Sequence, residues 1–404
     1  MPRVIRVGVV GLGRAAASML PSLASHPRVA LVAAADPDPA ARERFVLDYG
    51  GATFDGAETL CRAGAVDAVY IATPHQRHAA DVEIAAAHGV HAIVEKPMAL
   101  TLAECDRMIA AARAAETALI VGHTHGFDPG VLAMREIVRS GELGALRMIV
   151  NLVYTDFLYR PRRPEELDTA LGGGIVYNQI PHAVDVVRTL HGGPLRSVKA
   201  IAGAWDPARR TEGALAALLE FEDGAAASIV YSGYDRFDSD ELTFWIAASG
   251  ARKTPAHGSA RRALSAARTA EAEARLKTQT GYGAAGVRAA AGPAHQPHFG
   301  LLIASCERGD MRIGPDALLV YGDDGLREIP LDPGRAFPNK DNVVDELVAA
   351  LAGTPPLHDG AWGRATLEAT LAILRSARER REVPARFGMD VVRSDDPSAR
   401  LHVF

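Results

Sequence analysis

A chain of 404 residues, 48% apolar and 23% charged, is too long for one ordinary hydrophobic core and is expected to form two domains. Its net charge of −5, without a long basic run, offers no field for a nucleic-acid backbone. No apolar stretch reaches the ~18 residues that cross a bilayer, and no signal-peptide pattern precedes Val4, so a cytoplasmic protein with neither nucleic acid nor membrane as partner is expected. Cys61, Cys105 and Cys306, odd in number and far apart, do not suggest a disulfide framework.

Residues 4–10 (VIRVGVV) are a short apolar run, 11–16 read GLGRAA, an amphipathic stretch continues to about Ser25, and a second apolar run (VALVAAAD) ends at Asp36. This is a βαβ unit. Gly11 permits a tight turn, Gly13 lets backbone approach a pyrophosphate, and Ala16 is small enough for close helix packing. Phosphates would sit over the helix N-terminus, against Gly11, Gly13, Arg14 and Ala15. Asp36 is placed to accept hydrogen bonds from the adenosine ribose and to repel an added phosphate, which favours NAD, while the nearby Arg42 leaves NADP open.

Strands are predicted at 66–73 (VDAVYIAT), 91–95 (HAIVE) and 118–123 (ALIVGH), with helices at 77–88 and from the capping box TLAE at Thr101. The alternation predicts an α/β chain: an N-terminal Rossmann domain over 1–124, with a doubly wound parallel sheet, followed by a substrate and oligomerisation domain over 125–404. Ligands bind at the carboxyl ends of such strands, so Thr73, Pro74, His75 and His78 at one end and Glu95, Lys96 and Pro97 at another are candidates for contact with the cofactor.

GLGRAA, ATPHQRH (72–78) with AAAHGVHAIVEKP (85–97), and GGGIVYNQIPHAVD (172–185), taken together and in this order, resemble the glucose-fructose oxidoreductase and inositol dehydrogenase family (Gfo/Idh/MocA). Within it, residues 156–182, the later HFGLLIASCERGD and the stretch PPLHDGAWGRATLEATLAILRSARERR are similar to the phthalate-type cis-dihydrodiol dehydrogenase branch. The resemblance implies that Lys96 and His182 sit beside the nicotinamide as catalytic residues and that the Lys96–Pro97 bond is cis. It also implies a homo-oligomer, dimer or tetramer, built sheet to sheet. Oxidising an alcohol needs a group that takes the hydroxyl proton as hydride leaves; Lys96 suits if burial lowers its pKa, although a lysine after a strand is otherwise a solvated surface group. Asn178, His182 and Asp185 share a face if 175–190 is one helix. Many members of the family carry aspartate where this chain has Asn178, which cannot take up a proton and is read as a substrate ligand beside His182; Asp185 is read as a support.

From about Ala145 the pattern turns to long apolar or alternating runs at 145–156, 197–206, 214–224, 225–233 and 242–248, which predict an α+β domain with a large, mainly antiparallel open sheet. Helices are expected from Asn342 to about Ala352 and from Trp362 to Arg381. Arg160, Arg162 and Arg163 on a proline-stiffened loop suit a carboxylated substrate, or else pair with Glu165 and Glu166. Residues 251–296 suggest an exposed helix in a lid or arm, with His295 and His298 either entering the site or serving as ordinary loop histidines. The pairs His123/His125 and His88/His91 have no third ligand, so no catalytic metal is expected. The chemistry expected is NAD-dependent dehydrogenation of a ring alcohol such as a carboxylated cis-dihydrodiol. A sugar or cyclitol dehydrogenase and a catalytically silent dinucleotide sensor are the alternatives.

Overall fold

Short strands alternating with helices build, in the computed structural model, the parallel sheet that the first third of the chain predicts; residues 3–267, 269–278, 282, 295–331 and 338–385 are described. The elements are β1 (Ile5–Val10), α1 (Arg14–Ser25), β2 (Val29–Ala35), α2 (Pro39–Tyr49), β3 (Ala52–Phe54), α3 (Ala57–Arg62), β4 (Ala68–Ile71), α4 (His78–Ala87), β5 (His91–Glu95), α5 (Leu102–Ala114) and β6 (Leu119–Gly122). The order β3-β2-β1-β4-β5-β6 reverses direction between β1 and β4, and a crevice opens at the carboxyl ends where two such halves diverge. Each strand is apolar on both faces because helices cover both, as Val7, Val9, Ala68, Tyr70 and Ile93 on one side and Val69, Ile71 and Val94 on the other illustrate. Thr101 and Glu104 close a reciprocal capping box at the start of α5.

The second half begins with α6 (Pro129–Ser140), β7 (Leu146–Tyr154), α7 (Gly174–Asn178), α8 (Ile180–His191), β8 (Leu195–Gly203), β9 (Ala214–Phe221) and β10 (Ala226–Ser232). It continues through α9 (Ser259–Leu264), α10 (Ala270–Thr278), β11 (Leu301–Cys306), β12 (Gly309–Ile313), β13 (Ala317–Gly322), β14 (Gly325–Pro330), α11 (Pro338–Leu351), α12 (Gly360–Glu379) and β15 (Val383–Pro384). The sheet runs β14-β13-β12-β11-β7-β10-β9-β8-β15, antiparallel except where β7 pairs with β10. One face, including Ile149, Leu219 and Ile229, packs on α8 and α12; the other exposes Met148, Ile201 and Leu218. Helices α11 and α12 return to the first sheet, where Val343, Val344 and Leu347 join the core around β1 and Leu367 joins the one around β5.

Three expectations are corrected. Residues 242–248 are not a strand: Phe244 and Trp245 have φ of 63° and 56°, left-handed backbone that no strand accommodates, and only Ile246 pairs, through an isolated bridge to Arg252. The hairpins β11–β14 extend the sheet beyond the runs that alternation marks. The exposed helix expected within 251–296 is two pieces, α9 and α10, the second tied down by Glu273, whose carboxylate accepts from the Arg162 amide at 2.7 Å and the Arg209 guanidinium at 2.8 Å. Beyond it Tyr282 donates to Asp48 at the end of α2, so this segment reaches the first domain. The tail after Met389 lies outside the described residues.

Candidate active site

The turn after β1 is shaped for a phosphate. Gly11 has φ of +90°, and a Cβ there would lie 2.8 Å from the Ala72 carbonyl oxygen, so only glycine fits. A Cβ on Gly13 would meet nothing within 4 Å, which leaves the backbone open to an incoming group. Gly13 caps the twelve-residue α1 without a side-chain hydrogen bond, so the leading amides are not satisfied by a cap and can hold an anion. At the end of β2, Asp36 accepts from the Leu12 amide at 2.7 Å and the Asp38 amide at 2.8 Å, which fixes its carboxylate beside the turn. Arg42 donates to the carbonyls of Asp36 and Pro37. An open glycine, an uncapped helix start and a fixed acid fit a nicotinamide dinucleotide without the extra phosphate.

The loops after β4 and β5 face this turn. Thr73 donates to Asp81, and His75 is pushed down to about 3 by burial, His78 and Lys96. His78, expected at the cofactor, is instead fully buried, with Nδ1 on the Pro97 carbonyl and Nε2 on that of Thr73, each at 3.0 Å; it ties the two loops together rather than reaching a ligand. Glu95 accepts from the Tyr70 hydroxyl. The Lys96–Pro97 bond is cis. The Lys96 ammonium donates to the Asn178 carbonyl at 2.8 Å, and burial holds its pKa below the ordinary lysine value.

That carbonyl is free for Lys96 because the predicted single helix over 175–190 is broken at Gln179. Pro181 has no amide proton to continue the ladder, and the His182 amide bonds Gln179 instead of Asn178. Two helices result, so Asn178 does not share a continuous face with His182 and Asp185. The Asn178 side chain turns back onto the carbonyls of Gly174 at 2.9 Å and Gly172 at 3.4 Å. Gln179 takes the forward position, accepting from the Tyr231 hydroxyl at 3.1 Å. His182 is 9% exposed; burial first, then Lys96, His125 and His123, hold it well below the ordinary histidine range.

Around His182 stand groups that the sequence reading did not assign. His125 meets it edge to face at 4.9 Å, Phe299 lies 5.1 Å away, and Asp128 bonds His125 at 2.8 Å. His125 and Asp128 belong to the segment GHTHGFDPG at the carboxyl end of β6. Asp185 is fully buried and engaged with residues at the start of α12. It accepts from Trp362 Nε1 at 2.7 Å and lies 3.3 Å from His358 Nε2, whose Nδ1 is 3.3 Å from Glu346.

The three arginines separate. Arg162 is buried, stacked over the Phe157 ring at 3.9 Å and bonded to the Phe157 carbonyl and Glu166, while Arg163 pairs outside with Glu165 and Glu166. Both are committed within the loop, a correction to their reading as substrate ligands. Arg160 bonds Asp156 at 2.8 Å and is close enough to bear on Tyr231 and Arg14. His298 is buried, with Nε2 on the Ile246 carbonyl at 2.7 Å, and His295 pairs with Asp316; both are loop histidines.

Residues 5–123 match a family model described as "Oxidoreductase family, NAD-binding Rossmann fold", and residues 131–252 match the GFO/IDH/MocA C-terminal domain. The chain is 43% identical over 382 residues to 1-carboxy-3-chloro-3,4-dihydroxycyclohexa-1,5-diene dehydrogenase of Comamonas testosteroni, covering 93% of this chain and 95% of that protein. Inositol 2-dehydrogenase of Rhizobium meliloti is 31% identical over 200 residues, 49% of this chain and 58% of that protein. The crystal structure of a putative dehydrogenase from Bordetella bronchiseptica superposes with a TM-score of 0.88 at 46% identity, covering 94% of this chain and all of that one.

Proposed function

Because the chain belongs to the Gfo/Idh/MocA family of NAD-binding oxidoreductases, we propose that it oxidises a ring alcohol that also carries a carboxylate, a carboxylated cis-dihydrodiol. The observation that carries this reading is the line of polar groups from the Lys96 ammonium through Asn178 and Gln179 to the Tyr231 hydroxyl, with Arg160 bearing on Tyr231. A base stands at one end and a guanidinium at the other, which suits a substrate with a hydroxyl and a carboxylate on one ring.

Gly11, Gly13, Arg14, Ala15 and Asp36 would hold NAD, which when bound accepts the hydride. Lys96, once neutral, takes the hydroxyl proton, and burial favours that neutral form. His182, kept neutral by its surroundings, hydrogen-bonds the substrate oxygens. Arg160 shares its fork between Asp156 and the substrate carboxylate, and Phe299, packed against His125 and His182, offers an apolar wall to the ring. The sheet face that exposes Ile201 and Leu218 supports a homodimer or homotetramer.

The test is NADH formation by the purified protein with cis-dihydroxycyclohexadiene carboxylates, the uncarboxylated diols, inositols and hexoses. Turnover confined to the carboxylated diols is expected; turnover of uncharged polyols alone would establish the second reading, a cyclitol dehydrogenase, which the likeness to inositol 2-dehydrogenase supports. Tight NAD binding without turnover of any substrate would mark a silent sensor.

A further inference from the structure

Residues 123–128 leave the carboxyl end of β6 and enter the wall of the crevice, carrying an imidazole and a carboxylate three residues apart. Asp128 is fully buried and both its oxygens are engaged: Oδ2 accepts from His125 Nδ1 and Oδ1 from Asn339 Nδ2, each at 2.8 Å. A carboxylate on Nδ1 selects the tautomer that carries its proton there and leaves the Nε2 lone pair available, the arrangement of an oriented general base. The His125 ring keeps 14% of its side-chain surface open and packs against both His182 and Phe299, with centroids at 4.9 and 5.0 Å. Hydride removal needs one proton acceptor, and Lys96 fills that role. The oriented imidazole is a second one.

A dihydrodiol has work for it. Removing hydride from one carbinol carbon and the proton from its oxygen leaves a hydroxyketone, which becomes aromatic only when the neighbouring carbinol carbon loses its proton. We propose that His125, oriented by Asp128, is the base for this aromatising step, an inference that rests on the dihydrodiol reading above. In the first step the C–H bond breaks, hydride leaves to the nicotinamide and the hydroxyl proton passes to Lys96. In the second, His125 Nε2 takes the proton from the neighbouring carbon. That C–H pair becomes the ring double bond, the carbonyl π pair moves onto oxygen, and Lys96 returns its proton there. The sum is diol plus NAD giving aromatic diol, NADH and one proton, which His125 releases to water.

The experiment follows NADH by stopped flow and aromatic product by rapid quench, using a cis-dihydroxycyclohexadiene carboxylate with hydrogen on both carbinol carbons. In the wild-type enzyme the two products appear together, and deuterium on the carbon that does not give up hydride slows aromatic product relative to NADH. In His125→Gln, aromatic product falls behind NADH by about 10²-fold, with a smaller lag in Asp128→Asn. Product that keeps step with NADH in His125→Gln overturns the proposal. So does a wild-type enzyme that releases the hydroxyketone and leaves it to aromatise at the rate seen in buffer, a result that needs no variant to fold. If the wild type makes no NADH from any diol, the substrate reading falls and takes this step with it.

Discussion

Lys96 must lose a proton before it can accept one, and its surroundings decide at which pH that happens. Burial lowers its pKa from 10.5, opposed by the charge of Glu95, so kcat/KM should rise with pH along a single limb whose midpoint lies below 10.5. Lys96→Met should remove that limb and lower kcat by about 10²–10⁴-fold; a limb that survives the substitution would assign the base elsewhere. Arg160 is tested by Arg160→Lys, which keeps the charge and loses the planar fork: KM for a carboxylated diol should rise roughly tenfold, with little change for its uncarboxylated analogue. Equal losses on both substrates would deny it a part in carboxylate recognition. Lys96 and His182 stand out in the sequence because the motifs around them are distinctive. His125 does not, since its meaning depends on Asp128, Asn339 and His182, and the last two are remote in the chain.

At the level of elements, α8 and α12 are joined by charge as well as by packing. His358, which precedes α12, lies between Asp185 of α8 and Glu346 of α11, and although burial would lower its pKa, the two carboxylates raise it to about 9. A folded pKa above the ordinary 6.5 means that this contribution to stability is complete below 6.5 and lost as pH rises through about 9. Asp185 behaves oppositely: His123, His358 and Trp362 outweigh its burial and bring it to about 2, so its share holds above 3.8 and fades as pH falls. His358→Gln leaves two buried carboxylates without their cation, a loss of about 3–5 kcal/mol. Thermal unfolding should show the largest deficit in Tm near about pH 6 and a smaller one near about pH 10, where wild-type His358 is also neutral. A deficit that does not change with pH would mean that the imidazole is neutral throughout. No pattern in the sequence announced this trio, because its members are spread over α8, α11 and the turn before α12. The break at Gln179 was also missed, although Pro181 marked it: hydrophobic periodicity runs smoothly through 175–190 and hides the lost hydrogen bond.

For the molecule as a whole, the parallel sheet was legible because its strands are short, apolar and separated by helices, whereas β11–β14 were not, as their alternation is blurred by glycine and charge. The large sheet has two unequal faces. Its inner face is covered by α8 and α12, while the outer one carries Ile201 at 74% exposure and Leu218 at 52%, on the neighbouring strands β8 and β9 with Met148 on β7 beyond β10. Ile201 and Leu218 form an apolar patch on adjoining strands, beside Lys199, which pairs with Leu218, and removing such a patch from water contributes about 25 cal/mol for each Å² covered. A second copy of the chain presents the same patch, so a two-fold arrangement would cover both at once. Light scattering coupled to size exclusion should therefore give a multiple of the chain mass for the wild type. The pair Ile201→Glu and Leu218→Glu should shift it to a single chain with an unchanged circular dichroism spectrum, because both side chains point away from the core. A wild-type protein that elutes as one chain at micromolar concentration would sink the idea, and the exposed face would then need another occupant.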